Sequence, residues 1–384
     1  LIAEIFMPQL IFLIAPGFYK DPEKLNLAVS LSRITFPFLF FICLASFFGA
    51  ILNSYNKFAA AAAAPIILNI ILIGSLFFSQ FLNVSDVHML SYAVSVAGFL
   101  QLVTLLFYVR KNFKPILSIK IKIDKQIKLF FQKLVPSIFS SGVTQINILV
   151  GTIIASFQAG AVSYLYYADR VYQINLAVAG IAVGTVMLPE LSKYVKINNY
   201  NKINNLQNRA LELCLFLSIP AAVALVIASK EIITSLFGYG SFNNDSVNNT
   251  ALALTFFAFG VPAFSILKIF SNYFFARNDT KTPFYLSVFS VILNVLISVI
   301  FFKKIGFVII PIATSISSWI NVFLHFYFIK DRNLYNFDKK FVYKFPRIIL
   351  SVVVMGTVLY FLLGFFSDKF DYNESWKFIY LFII

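Results

Sequence analysis

Two charged residues sit where charge is expensive. Asp169 and Arg170 fall inside SYLYYADRVYQINLAVAGIAVGTVMLP (163–189), a largely apolar stretch. At helical spacing Tyr166, Asp169, Arg170 and Gln173 recur at i, i+3, i+4 and i+7, forming one polar stripe. The stripe continues through Ala177, Gly180 and Gly184, small residues that let a neighbouring helix approach closely. Arg170 lies roughly nine residues into the stretch, or ~13 Å from its end. An arginine at that depth can fork onto a phosphate through two parallel hydrogen bonds, with Asp169 neutralising it while no anion is bound. The competing reading is an Asp–Arg pair that only fixes helix packing, although adjacent residues on a helix do not face one another. Ligand contact is the favoured reading, with Gln173 on the same stripe as its neighbour.

Lys268, in GVPAFSILKIFSNYF, is the second buried-cation candidate. Its long stem lets it either line a polar cavity or snorkel to the nearer surface. Arg33 lies only a few residues past a connector and reads as snorkelling outward. Glu4 and Glu212 also fall within or at the ends of apolar runs, with no partner nearby in sequence and no role assigned. A cation at the centre of a membrane helix costs ~2.5–3.5 kcal/mol on insertion scales, and such residues usually line polar cavities. No set of residues has the spacing of a catalytic centre: HExxH, GxSxG and the P-loop are absent. His88 and His325 are too few for a histidine metal site, and Cys43 and Cys214 have no metal or CxxC spacing. No enzymatic activity, metal or cofactor is therefore expected.

The elements that hold these residues follow from composition. Of 384 residues 60% are apolar and 12% charged, with 47 Phe. A soluble chain runs nearer 45–50% apolar and about 25% charged, so a soluble core could not absorb the excess. The expected class is an all-α polytopic membrane protein. Twelve apolar segments can be drawn: 1–16, 26–52, 60–82, 87–109, 134–157, 161–189, 208–229, 247–275, 284–302, 306–329, 346–366 and 376–384, the first and last incomplete. They are apolar all round, so they are helices, since open sheets cannot span lipid and barrel strands would alternate. Prolines and glycines within them, such as Pro37, Pro65, Pro136, Pro262, Pro311, Gly49, Gly142 and Gly356, point to kinks and hinges that suit a transporter. The chain begins without Met and ends inside apolar runs, which reads as an internal segment of a longer protein.

The net charge of +15 first suggests nucleic acid, but topology accounts for it. The connectors at 57, 110–133, 193–209, 277–281 and 330–347 hold 21 Lys and Arg, against 7 in the opposite set. Positive residues gather on the cytoplasmic side, so the first set is cytoplasmic and no nucleic-acid partner is expected. The longest connector, RKNFKPILSIKIKIDKQIKLFFQK (110–133), carries Ile123, Ile127, Phe130 and Phe131 near one helical face among lysines. It reads as a basic amphipathic helix lying on the inner leaflet, in contact with membrane lipids. The plainer reading is an ordinary basic loop.

Four stretches together resemble the MurJ/MviN lipid II flippases of bacteria. They are ITFPFLFFICLASFFGAILNSYNKF (34–58) with APIILNI (64–70), SYLYYADRVYQINLAVAGIAVGTVMLPELSK (163–193), SLFGYGSF (235–242) and FFARNDTKTP (274–283). The resemblance spans essentially the whole chain. It implies the multidrug/oligosaccharidyl-lipid/polysaccharide exporter fold, with fourteen helices in two lobes and both ends cytoplasmic. On that pattern, 1–109 is the rest of an N-terminal lobe, helices three to six. Residues 110–133 are the connector, 134–329 are helices seven to twelve opening the C-terminal lobe, and 330–384 hold the last two. Two helices and part of a third would be missing at the start, and a segment lacking them would not flip lipid. The implied activity moves lipid II from the inner to the outer leaflet of the cytoplasmic membrane, by alternating access around a cationic cavity. By resemblance, Asp169 and Arg170 match the family's cavity Asp–Arg pair, and Lys268 matches a cavity lysine on the tenth helix. Gln173 stands where some members carry Glu, and Asn175 where Pro is common, which alters a local kink. Proteins of cell-wall synthesis are the implied partners.

Three other classes remain in view. A cation antiporter or polysaccharide-repeat flippase of the same superfamily would share the fold, and acids within the lobes would favour the antiporter. A membrane glycosyl- or phosphotransferase would need acids clustered at one membrane face. A structural scaffold would have no use for Arg170 at depth.

Overall fold

The computed structural model describes residues 2–55, 57–82, 85–111, 127–128, 142, 145–370, 374 and 376–383. Among these residues the regular elements are all helical. The chain divides into two compact units, Leu1–Lys133 and Leu134–Ile384. Most of connector 110–133, with its expected interfacial helix, lies outside the described residues. So do Pro136 and most of the first half of the expected segment 134–157, whose second half holds the helix Gln145–Ala155.

In unit 1, α1 (Met7–Ile14) leads to α2 (Pro22–Thr35), α3 (Pro37–Ser54), α4 (Phe58–Leu82) and α5 (Asp86–Arg110). Asp21 caps α2 by accepting the Lys24 amide at 3.1 Å, with Pro22 pre-set for the first helical position. The break between α2 and α3 comes at Pro37, which has no amide to continue the ladder. Thr35 turns its hydroxyl back onto the Leu31 and Ser32 carbonyls beside it. The Ser95 hydroxyl of α5 donates to the Ile34 carbonyl at the same level, and α4 is tied to α5 by Gln101 Nε2 donating to the Ala64 carbonyl at 3.0 Å. Ala45, Leu52, Ala64, Leu105 and Val109 form the small core of this unit. Arg33, read as snorkelling outward, donates through Nε to the Glu4 carbonyl at 3.3 Å.

Unit 2 holds α6 (Gln145–Ala155), α7 (Ala161–Leu176), a π turn (Ala177–Ala182) and α8 (Val183–Lys196). It continues with α9 (Tyr200–Ile227), α10 (Ser229–Phe237), α11 (Asn244–Ala258), α12 (Val261–Phe275), α13 (Lys281–Ile305), α14 (Ile309–Asp331), α15 (Lys339–Phe365) and α16 (Lys377–Ile383). Seven helices among the described residues are long and apolar enough to cross a membrane, eight counting one bent pair as a single span. One of the seven, Lys281–Asp331, runs 51 residues and reverses at Gly306. Ser290 donates to the Ser317 carbonyl and Asn294 to Thr314, the descending pairs of an antiparallel hairpin.

The expected single segment 247–275 is a bent pair. α11 and α12 meet at 41° around Phe259 and Gly260. Pro262 brings no amide to the break, and the freed carbonyls find donors on α14. Ser315 Oγ donates to the Phe256 carbonyl at 2.6 Å and Trp319 Nε1 to that of Phe259 at 2.9 Å. A side chain at position 260 would begin 2.7 Å from Ser315 Oγ and displace that bond, so the position has room only for glycine.

The basic connectors of unit 2 gather at one end. Asn208 donates to the Asn336 carbonyl and accepts from the Tyr335 hydroxyl and the Asp338 amide. Arg277 donates to the Tyr273 and Leu334 carbonyls, and Arg332 pairs with Asp279 at 2.6 Å. Burial pushes the Asp279 carboxyl up, but the Thr282 amide and hydroxyl together with Arg332 outweigh it and hold the group below the usual carboxylate range. At the opposite end Gln158 accepts the Phe307 amide at 2.8 Å, and the buried Lys377 donates to the Gly238 carbonyl at 2.6 Å. Alternation of charge and alternation of chain direction therefore agree. α15 begins at Lys339, so residues 339–347, expected in a connector, form its first turns. There Lys344 grips Glu212 at 2.7 and 3.0 Å, a partner 132 positions away in sequence.

With Cys43 and Cys214 replaced by serine, Asn244→Cys is expected to react with a membrane-impermeant maleimide in intact cells. Lys330→Cys is expected to react only after permeabilisation, and the reverse pattern would invert the orientation.

Candidate functional site

α7 presents an open face. Tyr166 is 55% exposed, and Ser163, Arg170 and Ile174 lie along the same side. The opposite face, through Ala161, Ala168 and Val171, is buried in the core of unit 2. The stripe read from spacing is thus largely the open face of a packed helix.

Its polar groups pair along the stripe, one turn apart. No ion pair links Asp169 to Arg170. Successive residues point about 100° apart on a helix, which keeps the two heads from closing on each other. Asp169 instead accepts a hydrogen bond from Gln173 one turn on. Arg170 stacks its guanidinium over the Tyr166 ring, with 4.7 Å to the centroid. The planar face of Arg170 is held, and among the described residues its N–H groups make no hydrogen bond. Gln173 suits this arrangement because its amide can donate to a carboxylate, which Glu in its ionised form cannot do.

Below Leu176 the helix widens into the π turn. Asn175 keeps its backbone amide, so α7 passes through that position without the kink a proline would give, and the irregularity falls two residues later. The small residues then serve as expected. A Cβ on Gly180 would lie 3.0 Å from Ser265 Cα and one on Gly184 3.0 Å from Asn272 Nδ2, so α12 packs directly on this stretch. Asn272 Nδ2 also donates to the Gly184 carbonyl at 2.8 Å.

Lys268 is exposed and lines a cleft of about 410 Å3 with Gly180, Gly184, Thr185, Ser271 and Asn272. Its stem lies over Gly180, ten residues beyond Arg170, or roughly 15 Å along the helix axis. The structure therefore brings Asp169, Arg170 and Gln173 together and sets Lys268 apart from them, along the same α7–α8 ridge. Among the described residues no three His, Cys, Asp or Glu side chains gather as a metal site. Two contributors escaped the sequence reading: Tyr166 as the stacking partner and Asn272 as the clamp. Tyr166 was visible as a stripe member, whereas nothing local marks Asn272 beyond an amide in an apolar run.

With Arg170 and Lys268 as its cations, the arrangement has the chemistry to bind an anion. The family model described as lipid II flippase MurJ matches residues 1–381. A protein of Rickettsia prowazekii (strain Madrid E), named probable lipid II flippase MurJ, is 36% identical over 357 residues, which is 93% of this chain and 70% of the relative. One of Rhizobium meliloti (strain 1021), with the same name, is 37% identical over 361 residues, 93% of this chain and 68% of the relative. Among solved structures, lipid II flippase MurJ in an inward closed conformation superposes with a TM-score of 0.79 at 29% identity, covering 100% of this chain and 77% of that one. An inward-facing multidrug resistance MATE family transporter of the MOP superfamily reaches a TM-score of 0.69 at 15% identity, over 86% and 78% of the two chains, a likeness of fold alone.

Bulk at the close approach should be costly. Gly180→Leu is expected to lower stability by ~1–3 kcal/mol through overpacking against α12. Thr185→Leu, at an exposed position, should change it little; thermal unfolding in detergent reads both.

Proposed function

This chain belongs to the lipid II flippase MurJ family, and on that premise we propose that it carries lipid II from the inner to the outer leaflet of the bacterial cytoplasmic membrane. The substrate has a pyrophosphate, a sugar–peptide head and a polyprenyl tail. The tail can stay in lipid, so the protein need shelter only the head group.

In this reading Arg170 holds the pyrophosphate, its N–H edge forking onto two oxygens while Tyr166 supports its face. Asp169, occupied by Gln173, keeps local charge balanced without capping Arg170. Lys268 supplies a second cation farther along, where the pyrophosphate or an acidic group of the peptide passes. The protein opens first to one side and then to the other, a shift that substrate binding can bias but not power by itself. Net transport needs an energy source, and a membrane potential supplies ~2.3 kcal/mol per charge per 100 mV. No covalent step is involved, so the activity is transport and not enzymatic catalysis.

The observation that carries this assignment of residues is an arginine set within an apolar span, exposed, and free of any salt bridge among the described residues. A cation antiporter would instead need accessible carboxylates, and the Asp169 carboxylate is engaged by Gln173.

The test is genetic. In cells depleted of their own lipid II flippase, a gene encoding this protein is expected to restore growth, and its Arg170→Ala variant at matched membrane levels is expected not to. Rescue by both would return Arg170 to a packing role, and rescue by neither would remove the lipid II assignment.

A further inference from the structure

Away from the basic connectors, at the other end of unit 2, a cavity of about 480 Å3 opens beside α7. That volume is in the ~300–1,000 Å3 range of small-molecule sites. From α7 it is lined by Ser163, Tyr164 and Tyr167, from the 238–243 loop by Tyr239 and Ser241, and from the first turn of α11 by Ser246. No Lys, Arg, Asp or Glu is among its lining residues, so the chemistry it offers is neutral: aromatic faces ringed by hydroxyls.

The rings are fixed from behind. Tyr167 packs on Phe237 and Phe242, with centroids 4.8 and 5.2 Å away. Tyr164 lies over Gly160, where φ is +74° and a Cβ would fall 2.6 Å from the ring's Cζ, so only glycine allows that placement. Lys377, 1% exposed, holds the Gly238 carbonyl at 2.6 Å and sits 4.1 Å above the Tyr239 ring. By contrast, among the described residues, the hydroxyls of Ser163, Tyr164, Tyr167, Ser241 and Ser246 make no side-chain hydrogen bond within the protein. A prearranged wall with unspent hydroxyls lowers the cost of ordering a ligand. Tyrosines near a membrane surface often form an interfacial belt facing lipid, but these rings converge on a concavity.

A pyranose matches this chemistry. It is neutral, its C–H face stacks on an aromatic ring, and its rim hydroxyls both donate and accept. Ser163 precedes Arg170 by two helical turns, roughly 10 Å along the same side of α7. A pyrophosphate on Arg170 therefore places the sugars joined to it within reach of the pocket. We infer that the pocket bounded by Ser163, Tyr164, Tyr167, the 238–243 loop and the start of α11 is a saccharide subsite, taking a pyranose ring of the lipid-linked head group. This rests on the lipid II reading above and adds the part of the substrate that α7 recognises beyond its phosphates.

The experiment measures binding to the purified protein in phosphatidylglycerol nanodiscs, with two ligands: lipid II and undecaprenyl pyrophosphate, which shares the tail and phosphates but has no sugar. Ser163→Trp and Ser241→Trp fill the pocket from two different elements at exposed positions, leaving the aromatic packing in place. Both variants are expected to weaken lipid II binding about tenfold while leaving undecaprenyl pyrophosphate unchanged. Arg170→Ala should weaken both ligands. Unchanged lipid II affinity in both tryptophan variants, or equal loss for the two ligands, overturns the subsite while the flippase reading survives. Wild-type protein that binds neither ligand above the phosphatidylglycerol background overturns the flippase reading and the subsite with it.

Discussion

A bilayer core offers no hydrogen bonds, so wherever a spanning helix of this protein stops being regular, a neighbouring side chain must supply the missing partner. The bend between α11 and α12 exists because Ser315 and Trp319 reach its stranded carbonyls. The Gly184 carbonyl beyond the π turn is met by Asn272, and the Ile34 carbonyl next to the Pro37 break by Ser95. Each of these bonds joins two helices, so satisfying the backbone also fixes which helices touch. The same bonds decide where glycine is needed, because each requires a close approach. Through them α12 is pressed onto the π turn and α8, and its outer face leaves Lys268 overlooking a cleft.

The same constraint governs charged side chains, and Arg170 and Lys268 stand apart from the paired ones. Asp169 has Gln173, Glu212 has Lys344 and Asp279 has Arg332 with Thr282. Among the described residues Arg170 has the Tyr166 face and no hydrogen bond or salt bridge. That stack spreads the cost of the cation over an aromatic quadrupole but uses none of its five N–H donors in the ring plane. An unfilled donor set at depth is costly to maintain for packing alone and well suited to a phosphate that arrives and leaves.

Much of this was legible in the sequence where the signal is local. The period of α7 placed Tyr166, Asp169, Arg170 and Gln173 on one stripe, because helix geometry follows from spacing alone. Charge counting separated the two ends of unit 2, since the connectors at 193–209, 277–281 and 330–347 do converge. The α11–α12 bend was not legible. Phe259, Gly260, Val261 and Pro262 continue an apolar run, and the donors that permit the break lie about sixty residues on. The hydrogen bond from Gln173 to Asp169 joins two members of the α7 stripe one turn apart and follows from the same spacing. The tyrosine pocket needs α7 and the 238–243 loop together, and no spacing within either announces the other.

The central claim is that Arg170 is retained for a passing anion and not for packing. The direct measurement is transfer of fluorescent lipid II across reconstituted vesicles by wild-type and Arg170→Ala protein, with thermal unfolding recorded for each. The account predicts that transfer is lost while the unfolding temperature stays within about 2 °C, as for a surface substitution. Transfer at the wild-type rate, or loss that only tracks a large fall in stability, would contradict it.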